Sequence, residues 1–179
     1  MNTRSLWAPW RLAYLESLGE KPAVTSEARA ASEAAVGSDF LEFYWKHPQH
    51  DAEHLLIFRD DAGMILLNRY PYSNGHLMVA LGEARPRLLD YDPPQRAALW
   101  LLTEKAVDLV ERAFHPQGVN VGINQGRAAG AGLPQHLHVH LVPRWAEDTN
   151  FMTVVGDVRV IPEALQKTYE RYRSLVVKG

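Results

Sequence analysis

Residues 136–142 read His-Leu-His-Val-His-Leu-Val. Alternation of polar and apolar residues is the signature of a half-buried β-strand, because successive side chains leave opposite faces. A helix would spread the same residues around its surface. On a strand, His136, His138 and His140 share one face, spaced about 6.6 Å apart along the chain. Leu137, Val139 and Leu141 share the other. The segment therefore demands a sheet with one face sealed by a helix and another that holds three imidazoles together.

The surrounding sequence supplies the rest of such a sheet. Residues 54–59 and 64–68 read as the two strands of a hairpin across Asp60-Asp-Ala-Gly63, and residues 76–81 read as a third strand after a loop at 70–75. Asp92, Pro93 and Gln95 form a helix start with capping-box spacing. Leu99, Leu102, Ala106, Leu109, Val110 and Ala113 then recur every three or four residues. This helix is expected to end near Phe114, before Pro116 and Gly118. Residues 119–124 alternate like a strand, 126–132 form a small-residue loop, and the triad strand is expected to close at Pro143. A terminal helix is expected over 162–175. Consecutive strands, one long helix and further strands indicate an α+β fold with an antiparallel sheet.

The first 39 residues differ in character. Trp7 and Trp10 sit three residues apart, and aromatic area of that size is expected to dock rather than wave in solvent. Residues 19–38 are rich in Ala, Ser and Glu and read as a mobile loop or weak surface helix. The domain reading is thus an N-terminal arm with a mobile linker over 1–39, followed by one domain over 40–179. Residues 40–50 are aromatic and resist classification.

Composition narrows the chemistry. The 179 residues contain no cysteine, which excludes a thiol nucleophile, a disulfide scaffold and any thiolate metal site. With 19 basic and 21 acidic side chains the formal charge is −2, and a pI near 6.4 gives no global attraction to nucleic acid. No transmembrane or targeting segment is visible, so no membrane partner is expected and the expected compartment is the cytoplasm.

Three readings of the histidines compete: a solvent-facing strand, a metal site, and nucleophilic catalysis by one imidazole. The neighbouring parts suit a phosphate better than a closed metal cage. The loop at 126–132, with Gly130 and Gly132, can bring backbone N–H groups close to an anion. Asn124 and Gln125 add amides suited to ribose hydroxyls or phosphate oxygens, and Arg127 and Arg144 add charge. Neutral imidazole is a good nucleophile near pH 7, provided its second nitrogen donates to a fixed acceptor. A backbone carbonyl near the Gly-rich loop is the expected acceptor.

At this point the chain resembles the histidine triad (HIT) superfamily. The triad matches the His-apolar-His-apolar-His-apolar-apolar signature, and residues 67–79 look like the upstream strand–loop–strand block. Asn120-Val-Gly-Ile-Asn124 with Gly130-Ala-Gly132 resembles the phosphate loop. The opening Leu-Trp-Ala-Pro-Trp-Arg and Trp145 with Asp148-Thr-Asn-Phe151 look like the bacterial branch related to diadenosine tetraphosphate phosphorylases and fragile-histidine-triad hydrolases. The resemblance implies a five- to six-stranded antiparallel sheet with one long helix and a C-terminal helix packed on it, and a homodimer.

It also implies roles. His138 would be the nucleophile, forming a nucleotidyl-histidine that water or phosphate resolves, with His136 and His140 orienting it and bonding the phosphate or leaving oxygen. Gln125 would bind the phosphate or leaving group, Asn68 the nucleoside side, and His76 matches the buried histidine of the upstream block. The implied activity is that of a hydrolase or nucleotidyltransferase on dinucleoside polyphosphates. A phosphoramidate hydrolase and a nucleotide-binding protein with vestigial catalysis are the alternatives. No metal is expected in the protein, and Mg²⁺ is expected only in company with a polyphosphate.

Two departures stand out. Many bacterial relatives hold a structural zinc with a Cys-x-x-Cys pair, which this chain lacks. Aromatic packing near residues 40–43 is expected in its place, and His47, His50 and His54 are read as loop or surface residues. Several relatives place a hydroxyl residue just before the triad, where this chain has Leu133-Pro134-Gln135.

Overall fold

The computed structural model describes residues 39–146, 148 and 161–176 with their side chains, and residues 4–7 and 158–160 as backbone. In chain order the elements are β1 (Arg4–Trp7), α1 (Phe40–Lys46), β2 (Leu56–Arg59), β3 (Gly63–Leu67), β4 (Leu77–Leu81), α2 (Pro93–Phe114), β5 (Gly118–Ile123), β6 (His138–Arg144), β7 (Val158–Ile161) and α3 (Leu165–Val176). Five strands form an antiparallel sheet in the order β2-β3-β4-β6-β5. β1 and β7 form a separate parallel pair, with Arg4 opposite Val158 and Trp7 opposite Ile161. Neither of these two strands is visible in the sequence pattern. The linker at 19–38 and Trp10 lie outside the described residues.

Local chemistry sets the connections. Asp60 Oδ1 accepts the N–H groups of Ala62 and Gly63 at 2.9 Å each, closing the β2–β3 turn. β2 begins later than the apolar run suggests, because Leu55 takes a left-handed φ of 59° and turns the chain before the strand starts. The capping box forms as read: Asp92 Oδ1 accepts the Gln95 N–H at 2.7 Å, and Gln95 Oε1 accepts the Asp92 N–H at 3.0 Å. The helix stops at Phe114, where His115 adopts the left-handed conformation.

The aromatic stretch at 40–50 resolves into α1 and a short 3₁₀ turn at Pro48–His50. Asp39 caps α1 by accepting the Glu42 N–H at 3.0 Å.

The sheet is covered on both faces. Leu77, Val79, Leu81, Leu137, Val139 and Leu141 pack with Leu99, Leu102, Ala106 and Leu109 of α2 and Tyr169 and Tyr172 of α3. Leu56, Met64, Leu66, Met78 and Ala80 pack with Leu41 and Tyr44 of α1. The alternation at 136–142 therefore does what its period requires, with its apolar members under the long helix.

Pro143 lies inside β6 instead of ending it. The Arg144 carbonyl accepts the Gln117 N–H, so alternation turns Pro143 towards β4, where pairing has already stopped at Leu77–Leu141. Its missing donor deprives no partner there.

One long-range bond ties the C-terminal helix to the upstream loop. The buried Tyr172 hydroxyl donates to the Gly75 carbonyl at 2.6 Å, and Gly75 has a φ of 77°, which a side chain would strain. Tyr172→Phe leaves that carbonyl without its donor. Urea unfolding of this variant is expected to show a loss of about 1–2 kcal/mol, and an unchanged midpoint would remove the bond from the stability account.

Candidate active site

Strand register brings the histidines together. Ala80 pairs with His138 and Met78 with His140, so both imidazoles stand on the α1 side of the sheet. Gly122 faces His140 across β5, and one step beyond the last pair, Ile123–Val139, the same register carries Asn124 to the level of His138. His136 differs from the expectation. It precedes β6, and the Leu137 N–H goes to the Arg85 carbonyl at 2.8 Å instead of to a strand partner. All three imidazoles are buried, His136 completely.

His138 is oriented by backbone. Its Nδ1 lies 2.9 Å from the His136 carbonyl, so Nδ1 carries the proton and donates. Nε2 keeps its lone pair. The acceptor is a backbone carbonyl, as the chemistry requires, but it belongs to the triad itself and not to the Gly-rich loop. Burial holds the His138 pKa below its ordinary 6.5, opposed by the bond to His136. The neutral, nucleophilic form is therefore the resting one at neutral pH.

His140 stands at the end of a polarised row. Asn68 Oδ1 accepts the Tyr70 N–H at 2.9 Å, which turns its Nδ2 towards His76 Nδ1 at 3.3 Å. The Tyr72 N–H donates to the same His76 Nδ1 at 3.0 Å. With two donors aimed at Nδ1, the His76 proton sits on Nε2 and is donated to His140 Nδ1 at 3.0 Å. The proton of neutral His140 must then be on Nε2. Burial first, and the neighbouring His138 second, push the His140 pKa down to about 4. His140 is thus a neutral N–H donor beside His138, their rings 4.8 Å apart. The Tyr72 ring lies 4.6 Å from His76 and 5.6 Å from His140 and is 44% exposed, forming one wall of the site.

The remaining predicted residues divide. Gly130 and Gly132 lie on the exposed loop between β5 and β6, and Gly130 adopts a left-handed φ of 87° to end a short turn at Arg127–Ala129. Gln125 Oε1 accepts the Leu88 N–H at 2.9 Å, which commits its oxygen and leaves Nε2 as its donor group. Arg144 is spent on structure. It pairs with Asp148 at 2.6 and 2.7 Å and donates to Asn120 Oδ1 at 3.0 Å.

Asp39 was not visible as a site residue. Its carboxylate lies 2.9 Å from His136 Nδ1. The sequence did carry a signal, the Asp39-x-x-Glu42 spacing of a helix start, but nothing in it names the histidine as a partner.

The zinc centre of bacterial relatives does not fit here. No cysteine exists, and Phe40 and Phe43 pack their rings edge-on against Tyr44 at 5.4 and 6.4 Å. His47 Nδ1 bonds the Phe43 carbonyl at 2.7 Å, His50 pairs with Glu53 at 3.2 Å, and His54 stacks on Tyr44 at 3.9 Å. Among the described residues, no three His, Asp or Glu side chains are grouped to hold a metal.

The HIT domain family model matches residues 49–147, which take in Asn68, His76 and the whole triad. The chain belongs to the HIT domain family. It is 40% identical over 163 residues to an AP-4-A phosphorylase of Mycobacterium tuberculosis (strain ATCC 25618 / H37Rv), covering 91% of this chain and 79% of that protein. A bis(5'-nucleosyl)-tetraphosphatase [asymmetrical] of Schizosaccharomyces pombe is 32% identical over 93 residues, 52% of this chain and 50% of that protein. Among solved structures, a zinc-bound histidine triad family protein from Mycobacterium smegmatis shares the fold, with a TM-score of 0.61 and 23% identity over 76% of this chain and 93% of the other.

The buried histidines of this HIT domain make its stability pH-dependent. His54 and His140 both have pKa values lowered to about 4 from 6.5. The unfolded chain therefore binds more protons between those values, and folding stability falls as pH drops from 6.5 towards 4. Thermal unfolding between pH 4 and 8 is expected to show this loss, with a shallower slope in His140→Asn. An identical slope in that variant would discount His140 as a contributor.

Proposed function

We propose that this chain is a nucleotidyl-transferring enzyme acting on dinucleoside polyphosphates of the diadenosine tetraphosphate type, through a covalent nucleotidyl-histidine on His138. The observation that carries the reading is the His138 Nδ1–H bond to the His136 carbonyl at 2.9 Å. It fixes the tautomer that leaves Nε2 as nucleophile. Nε2 attacks an α-phosphorus, the P–O bond to the bridging oxygen breaks, and the other nucleotide departs as an anion. His138 becomes cationic while Nδ1 keeps its proton. His140, donating from Nε2, bonds the phosphoryl or leaving oxygen as charge builds there. An incoming oxygen nucleophile then displaces His138 and restores the neutral ring. Splitting one displacement into two lowers the barrier of each. Mg²⁺ belongs to this scheme as a companion of the polyphosphate.

Inorganic phosphate is the acceptor we favour. The relative matched across 91% of this chain is a phosphorylase, whereas the tetraphosphatase matches about half of it. Diadenosine tetraphosphate is expected to give ADP and ATP only when inorganic phosphate is present, read by ion-exchange chromatography. AMP and ATP without phosphate would assign water as acceptor. His138→Ala is expected to lower kcat by about 10³-fold or more while retaining nucleotide binding by calorimetry. Wild-type turnover in that variant would overturn the nucleophile.

The same reading includes a homodimer. β5 is an edge strand of the sheet, Val121 on it is 42% exposed, and Trp100 and Leu101 of α2 are 48% and 66% exposed on the same side of the sheet. An edge strand and exposed large apolar side chains on the helix that covers the same face of the sheet suit a second copy of the chain. Light scattering at micromolar concentration is expected to give twice the 20.2 kDa chain mass, and Val121→Asp is expected to lower it. A monomeric wild type would remove the dimer.

A further inference from the structure

His136 has acceptors on both sides of its ring. Nδ1 lies 2.9 and 3.1 Å from the two oxygens of Asp39, and Nε2 lies 2.8 Å from the Leu81 carbonyl. A neutral imidazole has one N–H and would turn a lone pair on one of these oxygens. In a ring with no exposure to solvent that arrangement forfeits a buried hydrogen bond and adds repulsion. A ring with two N–H groups satisfies both. Burial alone would raise the Asp39 pKa, but the bonds from His136 and the Glu42 N–H prevail and hold it below 3.8, so the carboxylate is ionised.

We propose that Asp39 is a positioning residue for the nucleophile: it clamps His136 as an imidazolium between its own carboxylate and the Leu81 carbonyl, and so fixes the peptide oxygen that receives His138 Nδ1–H. The proposal rests on the reading of His138 as nucleophile. It follows from where His136 lies. This residue is outside β6, and its own N–H reaches the Leu133 carbonyl only at 3.4 Å. The side chain therefore does the holding that a strand ladder would otherwise do. The next residue, Leu137, is tied to Arg85, so the His136 peptide is held through its ring on one side and through Leu137 on the other.

The clamp also acts through charge. The groups around His138 are His136 and His140 on its own chain segment, Asp39 at the start of α1, and His76 at the entry to β4. His140 and His76 are the neutral donors described above. A cationic His136 opposes a second positive charge on His138, and Asp39 favours it by less. Removing both charges together leaves His138 easier to protonate.

Asp39→Asn tests the clamp, because asparagine keeps the size and the helix-capping ability but not the charge. In the wild-type protein at pH 7, ¹⁵N spectra of ring-labelled histidine are expected to show both nitrogens of His136 protonated. In Asp39→Asn one of them is expected to lose its proton. The variant should lose at least about tenfold in kcat with KM little changed, and the acid limb of its kcat/KM profile should move to higher pH. A wild-type His136 with a single protonated nitrogen at pH 7 overturns the clamp, and this readout needs neither activity nor a folded variant. A folded Asp39→Asn with wild-type kcat and an unmoved acid limb overturns the positioning role. Neither result bears on whether His138→Ala is dead, so failure of the clamp and failure of the nucleophile remain separate.

Discussion

The antiparallel pairing of β4 with β6 is the contact on which the rest depends. It sets Ala80 beside His138, Met78 beside His140 and Val79 beside Val139. One register therefore decides two outcomes at once. It delivers Leu77, Val79, Leu81, Val139 and Leu141 to the core under α2 and α3, and it delivers the imidazoles to the opposite face. A slip of one residue would exchange the two sets, placing His138 and His140 under the long helix and the leucines in the site. The hydrophobic free energy of that core, at about 25 cal/mol per Å² of apolar surface buried, thus enforces the placement of these imidazoles. Folding and chemistry share one constraint.

Around this strand the two flanking histidines are held by different means. His140 is placed by the ladder and polarised from the β3–β4 loop, through Asn68 and the Tyr72 N–H acting on His76. His136 has left the ladder and is placed by a carboxylate and a carbonyl. His138 between them draws on both arrangements. Its proton rests on the carbonyl of one flanking residue, and the ring of the other stands 4.8 Å away. The absence of cysteine sharpens the picture. Helix α1 packs Leu41 and Tyr44 onto the sheet and is capped by the same carboxylate that meets His136.

Much of this was legible in the residues. The alternation at 136–142, the capping box at Asp92, the end of α2 and the hairpin at 60–63 are local patterns, and local patterns survive folding when packing agrees with them. The resemblance carried by the triad and the upstream block placed Asn68 and His76 near the site. What escaped was set by distance along the chain or by backbone. Asp39 meets a partner 97 residues away, and no spacing rule reaches that far. The β1–β7 pair joins strands more than 150 positions apart. The exit of His136 from the strand depends on Arg85 supplying the acceptor for Leu137, which periodicity does not reveal. Arg144 reads as a phosphate ligand by type, but Asp148 and Asn120 claim its donors.

The tautomers of His138 and His140 lean on main chain. A peptide carbonyl at residue 136 dictates where His138 holds its proton, and a peptide N–H at residue 72 sets His76 and, through it, His140. Backbone groups are the same whatever side chain they carry. A change of side chain at the rim, such as at the half-exposed Tyr72 ring, therefore leaves these backbone partners in place. The site is thus held most firmly where its protons lie and least firmly at its rim.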